Sequence, residues 1–224
     1  MVMPMYGNAL IHRSRNNALA NIRPDADWVL FVDDDMVPER EALMRLLAHQ
    51  QPVVSAFCTT RTAPARPAAK VYYEREDRFI PIREKPPENA LINGPLAPGA
   101  AFLLMNRETV EALKEYYLSA NDWLEESRPT LDRMHVRSEQ RETERARKEE
   151  ARRGFYQREK VLRIFYYGMG DNEIELGEDI CLARNLMRLK IPVALDTSTV
   201  VGHIGEHPYG PWDIDWDSFK IEGV

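Results

Sequence analysis

Short apolar runs alternate with amphipathic stretches along this chain, and the sharpest junction comes early. Trp28 to Val32 is five apolar residues in a row, the pattern of a strand buried on both faces, and it runs straight into Asp33-Asp34-Asp35. Ahead of it, Met1 to Tyr6 reads as a short strand or extended arm. Leu10, Ile11, Ala18, Leu19 and Ile22 then recur at near-helical spacing. Behind it, Pro38 to Gln50 carries Leu43, Leu46 and Leu47 on one helical stripe, and Pro52 to Phe57 is the next buried strand. A strand, a helix and a strand in that order favour a parallel pairing.

From Thr59 to Glu88 the chain is rich in Pro, Arg and Ala. Two short alternating pieces, around Val71-Tyr72-Tyr73 and Phe79 to Ile82, predict a loop followed by an edge hairpin. Small residues from Asn93 to Ala101 precede a strand at Phe102 to Met105 and a helix from Arg107 to about Tyr117. In the last third a helix starts near Gly177, with Leu182, Leu186 and Leu189 as its buried stripe. Strands at Pro192 to Leu195 and Thr199 to Val201 lead into Gly202-His203-Ile204-Gly205, and an aromatic tail with Trp212, Trp216 and Phe219 packs back on the domain.

Composition narrows the class. At 224 residues and 44% hydrophobic content the chain suits one soluble domain, 1–224, with one substantial core. The net charge of −6 argues against a wholly basic nucleic-acid-binding surface. Charge is uneven, however: Arg133 to Lys160 holds ten Lys/Arg against six Glu, and it reads as a charged helical insertion at 130–160 or a cationic arm that approaches phosphates. Cys58 and Cys181 lie far apart in apolar segments, the usage of reduced, buried thiols in a cytoplasmic protein. No apolar run of about 18 residues predicts a membrane span.

The candidate chemistry is acidic. Acids spaced i, i+2 at the carboxyl end of a buried strand project toward one hard cation, which selects Asp33 and Asp35; the competing reading is a turn in which Asp35 caps a helix begun by Pro38. Glu178 and Asp179 occupy the first turn of a helix, where the dipole alone stabilises carboxylates. His203 ends a strand between glycines, a position that serves structure or ligation. Arg15-Asn16 reads equally as a solvated helix face.

In order and content these pieces resemble the GT-A glycosyltransferases, in particular the family-2-like group of bacteria and phages. The matching elements are Ser14-Arg15-Asn16, Leu30 to Asp35, Gly99-Ala100-Ala101-Phe102-Leu103, Glu178-Asp179 and Gly202-His203. The resemblance implies an α/β, GT-A-like (Rossmann-like) fold, a mostly parallel sheet flanked by helices. It implies a nucleotide-diphospho-sugar donor bridged by Mn²⁺ or Mg²⁺. Asp35 and His203 would be metal ligands and Asp33 would serve the metal or the ribose. Asp34, Arg15 and Asn16 fall on the donor-binding side. Asp179, with Glu178 beside it, would be the base that deprotonates an acceptor hydroxyl, giving inversion at the anomeric carbon. Gly99, Ala100 and Ala101 would line the acceptor pocket. The family pattern places a longer βαβ region before the acids, whereas about thirty residues precede them here, so the expectation is a shortened amino-terminal nucleotide-binding region, a trimmed start or a reduced pocket made by Met1 to Asn8.

Two other functions compete with this one. A catalytically weak GT-A-like binding or assembly module would use the basic arm, and a metal-dependent nucleotidyltransferase also uses paired acids at a strand end. The acceptor, whether glycan, protein or modified nucleic acid, stays open.

Overall fold

The computed structural model describes residues 11–60, 64–119, 164–166, 168–169, 175–204 and 208–216. The charged stretch at 130–160, the arm at 1–8 and Phe219 lie outside the described residues.

In chain order the elements are α1 (Ile11–Ala20), β1 (Trp28–Val32), β2 (Met36–Pro38), α2 (Ala42–Ala48), β3 (Val53–Phe57), β4 (Lys70–Tyr73), β5 (Arg78–Pro81), β6 (Leu91–Gly94), β7 (Leu96–Ala97), β8 (Phe102–Asn106) and α3 (Arg107–Ser119). They continue with β9 (Gly168–Met169), β10 (Glu175–Leu176), α4 (Glu178–Arg188), β11 (Val193–Ile204) and β12 (Pro208–Tyr209).

The main sheet runs β1-β8-β3-β11, and β2, β6 and β12 also pair with β11. It is mixed α/β and mostly antiparallel among the described residues, which corrects the expectation of a mostly parallel sheet. The strand–helix–strand unit does not pair with itself. β8 lies between β1 and β3, antiparallel to both, with Leu30 opposite Leu104 and Val53 opposite Met105. The physical reason lies in β8 itself. Phe102 to Met105 are each at most 2% exposed, and a run with no polar side satisfies both faces only in the interior of a covered sheet. The parallel pair is β3 with β11, in register from Val53–Val193 to Ala56–Asp196.

Strand alternation divides the core in two. Phe31, Val53, Phe57, Leu103, Met105 and Leu195 face one side, where Leu19, Leu113, Leu182 and Leu186 of α1, α3 and α4 cover them. Val54, Ala56, Phe102, Leu104 and Val201 face the other, under Ala42 and Leu46 of α2. Helices therefore flank both faces, as expected. Truncating a fully buried leucine such as Leu103 to alanine costs about 2–5 kcal/mol.

Three local expectations change. Pro38 closes a strand instead of opening a helix, because Met36 to Pro38 pairs with Val201 to His203. The two strands expected after Pro192 are one, β11, interrupted by a register shift between Asp196 and Val200. The hairpin of β4 and β5 forms as expected, with Val71 opposite Ile80, but it joins β7 in a separate three-stranded sheet. Ala97 and Phe79 of that sheet pack on Ile180 and Ala183 of α4. In the tail, Trp216 stacks on Phe57 at 6.4 Å between ring centroids, whereas Trp212 is 64% exposed.

Candidate active site

The acids after β1 form a tight turn, not an extended run. The Met36 N–H donates to the Asp33 carbonyl at 3.2 Å and the Asp33 N–H to the Ala101 carbonyl at 3.0 Å. Asp33 and Asp35 consequently point to different partners, which corrects the expectation that i, i+2 spacing aims both at one cation. Asp34 is exposed on the turn.

Asp33 belongs to Arg15. That guanidinium, 5% exposed as a residue, donates through Nη2 to both oxygens of Asp33 at 2.8 and 3.1 Å, and through Nη1 to Glu178 Oε1 at 2.7 Å. Its carbon Cζ stands 5.5 Å from the centroid of the Phe165 ring, which meets Phe31 edge-on at 5.3 Å. Asn16 holds Phe165 in place from the next position, giving Nδ2–H to the Phe165 carbonyl at 2.6 Å and accepting the Phe165 N–H on Oδ1 at 2.9 Å. In this structure Arg15 and Asn16 thus spend these groups on the protein itself. Burial raises the Asp33 carboxyl above its ordinary value, Arg15 opposes that rise, and the charges of Asp35 and Glu178 add to it.

Asp35 belongs to His203. β2 lies alongside β11 so that Met36 faces His203, and the Ile204 N–H donates to the Asp35 carbonyl at 2.7 Å. His203 Nε2 lies 3.7 Å from Asp35 Oδ1. On its other side Nδ1 sits 2.6 Å from the Thr59 carbonyl oxygen, an atom that only accepts, so Nδ1 carries a proton and Nε2 is the ring nitrogen that faces the carboxylate. A ring nitrogen held by a backbone carbonyl is the usual arrangement of a ligating histidine. Two donor atoms at this separation leave room for a cation bound at about 2.0–2.2 Å from each. The pair therefore fits a divalent ion with two protein ligands. Among the described residues no group of three or more His, Cys, Asp and Glu side chains gathers to hold one, and Asp33 does not complete the set.

The acid pair on α4 divides in the same way. Glu178 faces Arg15, while Asp179 Oδ1 accepts the Ile180 N–H at 2.8 Å and Oδ2 lies 3.9 Å from Lys70 Nζ. Asp179 keeps partial solvent access, with 21% of its side chain exposed. Gly99 adopts φ +78°, in the left-handed region, and its carbonyl accepts from Ser55 Oγ at 3.4 Å. Through the Ala101 carbonyl the Gly99-Ala100-Ala101 segment reaches the backbone of Asp33, so it borders the acidic edge.

The structure also brings in residues that sequence reasoning passed over. Thr59 acts through its carbonyl, which no residue type signals. Lys70 sits at the head of an alternating strand that reads only as hairpin. Phe165 closes the apolar run Ile164-Phe165 beyond the charged stretch. Cys58, near Asp33, is no candidate nucleophile, since burial pushes its thiol up to about 12, with the Asp33 charge adding to the effect.

No protein-family model and no curated protein matches the chain. Among solved structures the chain is similar to A197 from STIV, at 14% sequence identity and a TM-score of 0.41, over 88% of this chain and 69% of that one.

Proposed function

We propose that this chain is a metal-dependent, inverting glycosyltransferase that moves a sugar from a nucleotide-diphospho-sugar to an acceptor hydroxyl, on a GT-A-like form of the mixed α/β fold. One observation carries the reading. Arg15 ties Asp33 at the end of β1 to Glu178 in the first turn of α4, and so gathers at one sheet edge the acids assigned by resemblance to donor and to acceptor chemistry. A purely capping role for Glu178 gives no reason for a buried cation between two such distant segments.

Asp179 is the base in this proposal. It takes the proton of the acceptor hydroxyl as that oxygen bonds to the anomeric carbon from the face opposite the diphosphate. The bond from the anomeric carbon to the diphosphate oxygen breaks, its electron pair leaves with the diphosphate, and the configuration inverts. Lys70 Nζ lies 3.9 Å from Asp179 Oδ2, beside the oxygen that meets the acceptor proton. Arg15 holds Glu178 and Asp33 together so that their charges do not drive β1 and α4 apart. Asp35 and His203 would hold Mn²⁺ or Mg²⁺, which would supply neutralisation of the charge that develops on the leaving diphosphate.

The test is a thermal-shift screen of nucleoside diphosphates and their sugars, with and without Mn²⁺, on the wild type, Asp35→Ala and Asp179→Asn. A ligand that binds only the folded state raises the melting point by mass action. A metal-dependent shift with one nucleotide, lost in Asp35→Ala and kept in Asp179→Asn, is the expected result. Transfer by Asp179→Asn should then fall about 10²–10⁴-fold. Failure of every nucleotide to shift the wild type overturns the transferase reading in favour of a binding module.

A further inference from the structure

We propose that the cleft between the β4–β5 hairpin and α4 binds a small phosphate-bearing ligand, at a site separate from the Asp35–His203 pair and independent of the transferase reading. The cleft has a volume of about 330 Å³ and is lined by Tyr72, Asp77, Arg184, Met187 and Arg188. That volume lies at the lower end of small-molecule sites, enough for a phosphate with a glycerol- or sugar-sized body.

Arg184 and Arg188 are four residues apart on α4, so their guanidinium groups share one wall. Among the described residues neither Arg184 nor Arg188 lies within ion-pair distance of a carboxylate, as is also true of Arg40, Arg66, Arg75 and Arg83, but only these two stand on one wall of a cleft. Arg184 is nevertheless held in place, because its Nη2 donates to the Asp77 carbonyl at 2.9 Å. Its Nε is buried and has no acceptor among the described residues. The guanidinium as a whole lines the cleft, so its remaining N–H groups are the ones placed to meet an anionic oxygen there. The planar fork of arginine matches phosphate oxygens, and two forks on one wall make the match specific for a multi-oxygen anion.

The acid of the lining does not cancel this charge. Asp77 Oδ1 accepts from the Tyr72 hydroxyl at 2.6 Å, which leaves two guanidinium groups against one already engaged carboxylate. Glu74, on the hairpin turn, bears on the same hydroxyl from outside the lining. Tyr72, packed on Phe79 at 5.4 Å between ring centroids, joins Met187 as an apolar wall for the body of the ligand. Along the helix axis Arg184 lies about 7.5 Å beyond Asp179, at about 1.5 Å per residue, and neither Glu178 nor Asp179 lines the cleft.

The test is an NMR titration of the ¹⁵N-labelled full chain with inorganic phosphate, glycerol 3-phosphate and dimethyl phosphate at constant ionic strength, with KCl as the control. Expected are saturable shifts at Tyr72, Asp77 and the end of α4, and a Kd at least tenfold weaker in Arg188→Ala. The Arg188 side chain is exposed, so its truncation leaves the core intact. Arg184→Gln should weaken binding further. Binding of the monoester alone assigns a free phosphorylated metabolite, whereas equal binding of the diester assigns a phosphodiester backbone, and both uphold the site. No saturable shift with any of the three, shifts that KCl reproduces, or a Kd unchanged in Arg188→Ala would overturn it.

Discussion

Arg15 Nη1 lies 2.7 Å from Glu178 Oε1, joining α1 to α4 across 163 positions of the chain. The same guanidinium grips Asp33, so one buried cation separates two carboxylates that would otherwise face each other. Arg15→Met removes the cation and leaves both acids in place. Loss of one partner from such a cluster is expected to cost about 3–5 kcal/mol, read as a drop in the urea midpoint at constant m-value. Arg15→Lys keeps the charge but not the fork, and should fall between the two. An Arg15→Met protein as stable as the wild type would mean that the bridge does not hold the edge together.

The contact of His203 with the Thr59 carbonyl makes a claim about one proton. Long-range ¹⁵N–¹H NMR of the neutral imidazole should show the proton on Nδ1. Titration with Mg²⁺ should then move Nε2 and leave Nδ1 nearly still, an effect absent in Asp35→Ala. Observation of the Nε2–H tautomer would exclude His203 as a ligand through that nitrogen.

Asp196 is fully buried where β11 breaks register, and it accepts from the Ser198 N–H at 2.7 Å, the Ser198 hydroxyl at 2.6 Å and the Thr199 hydroxyl at 2.5 Å. Burial works to raise its carboxyl, but these hydrogen bonds and His49 outweigh it, and the net result lies below the ordinary value of 3.8. A carboxyl lower in the folded than in the unfolded state stabilises fully above the ordinary value, and the contribution fades as pH falls through the folded one. Asp196→Asn should therefore be less stable than wild type at pH 7 by roughly 1–3 kcal/mol. The gap should shrink in urea titrations between about pH 5 and pH 2. A gap that stays constant with pH would assign the loss to shape, not charge.

Gly99 tests the segment beside the acids. An added Cβ would meet Ala68 Cβ at 3.5 Å, an ordinary contact, so space is not the obstacle. The obstacle is φ +78°, and Gly99→Ala should cost about 1–2 kcal/mol of backbone strain, seen as a lower melting temperature. An unchanged melting temperature would show that the loop relaxes out of this conformation freely.

Much of the local structure was legible from pattern. The helices over Ile11–Ala20, Ala42–Ala48 and Glu178–Arg188 follow the spacing of Leu19, Leu46, Leu182 and Leu186, and the strands Trp28–Val32, Val53–Phe57 and Phe102–Asn106 follow their unbroken apolar runs. Pairing was not legible. An apolar run such as Phe102 to Met105 states that a strand is buried, not which neighbours bury it, and the direction of a pair depends on chain connections tens of residues long. Spacing likewise marked Asp33 and Asp35 as candidates but assumed an extended backbone, and the hydrogen bond from Met36 to Asp33 turns that backbone back on itself.

By itself the sequence determined which residue types stand at the ends of buried elements: acids after Trp28–Val32, acids at the start of Glu178–Arg188, a histidine near the end of Val193–Ile204. Those placements follow from local rules of periodicity and polarity, which act over a few residues. Only the tertiary structure decided the partners, giving Asp33 to Arg15, Asp35 to His203 and Asp179 to Lys70. A carboxylate takes the nearest cation or donor that shares its burial, and which one is nearest is set by strand order and helix packing across the whole chain.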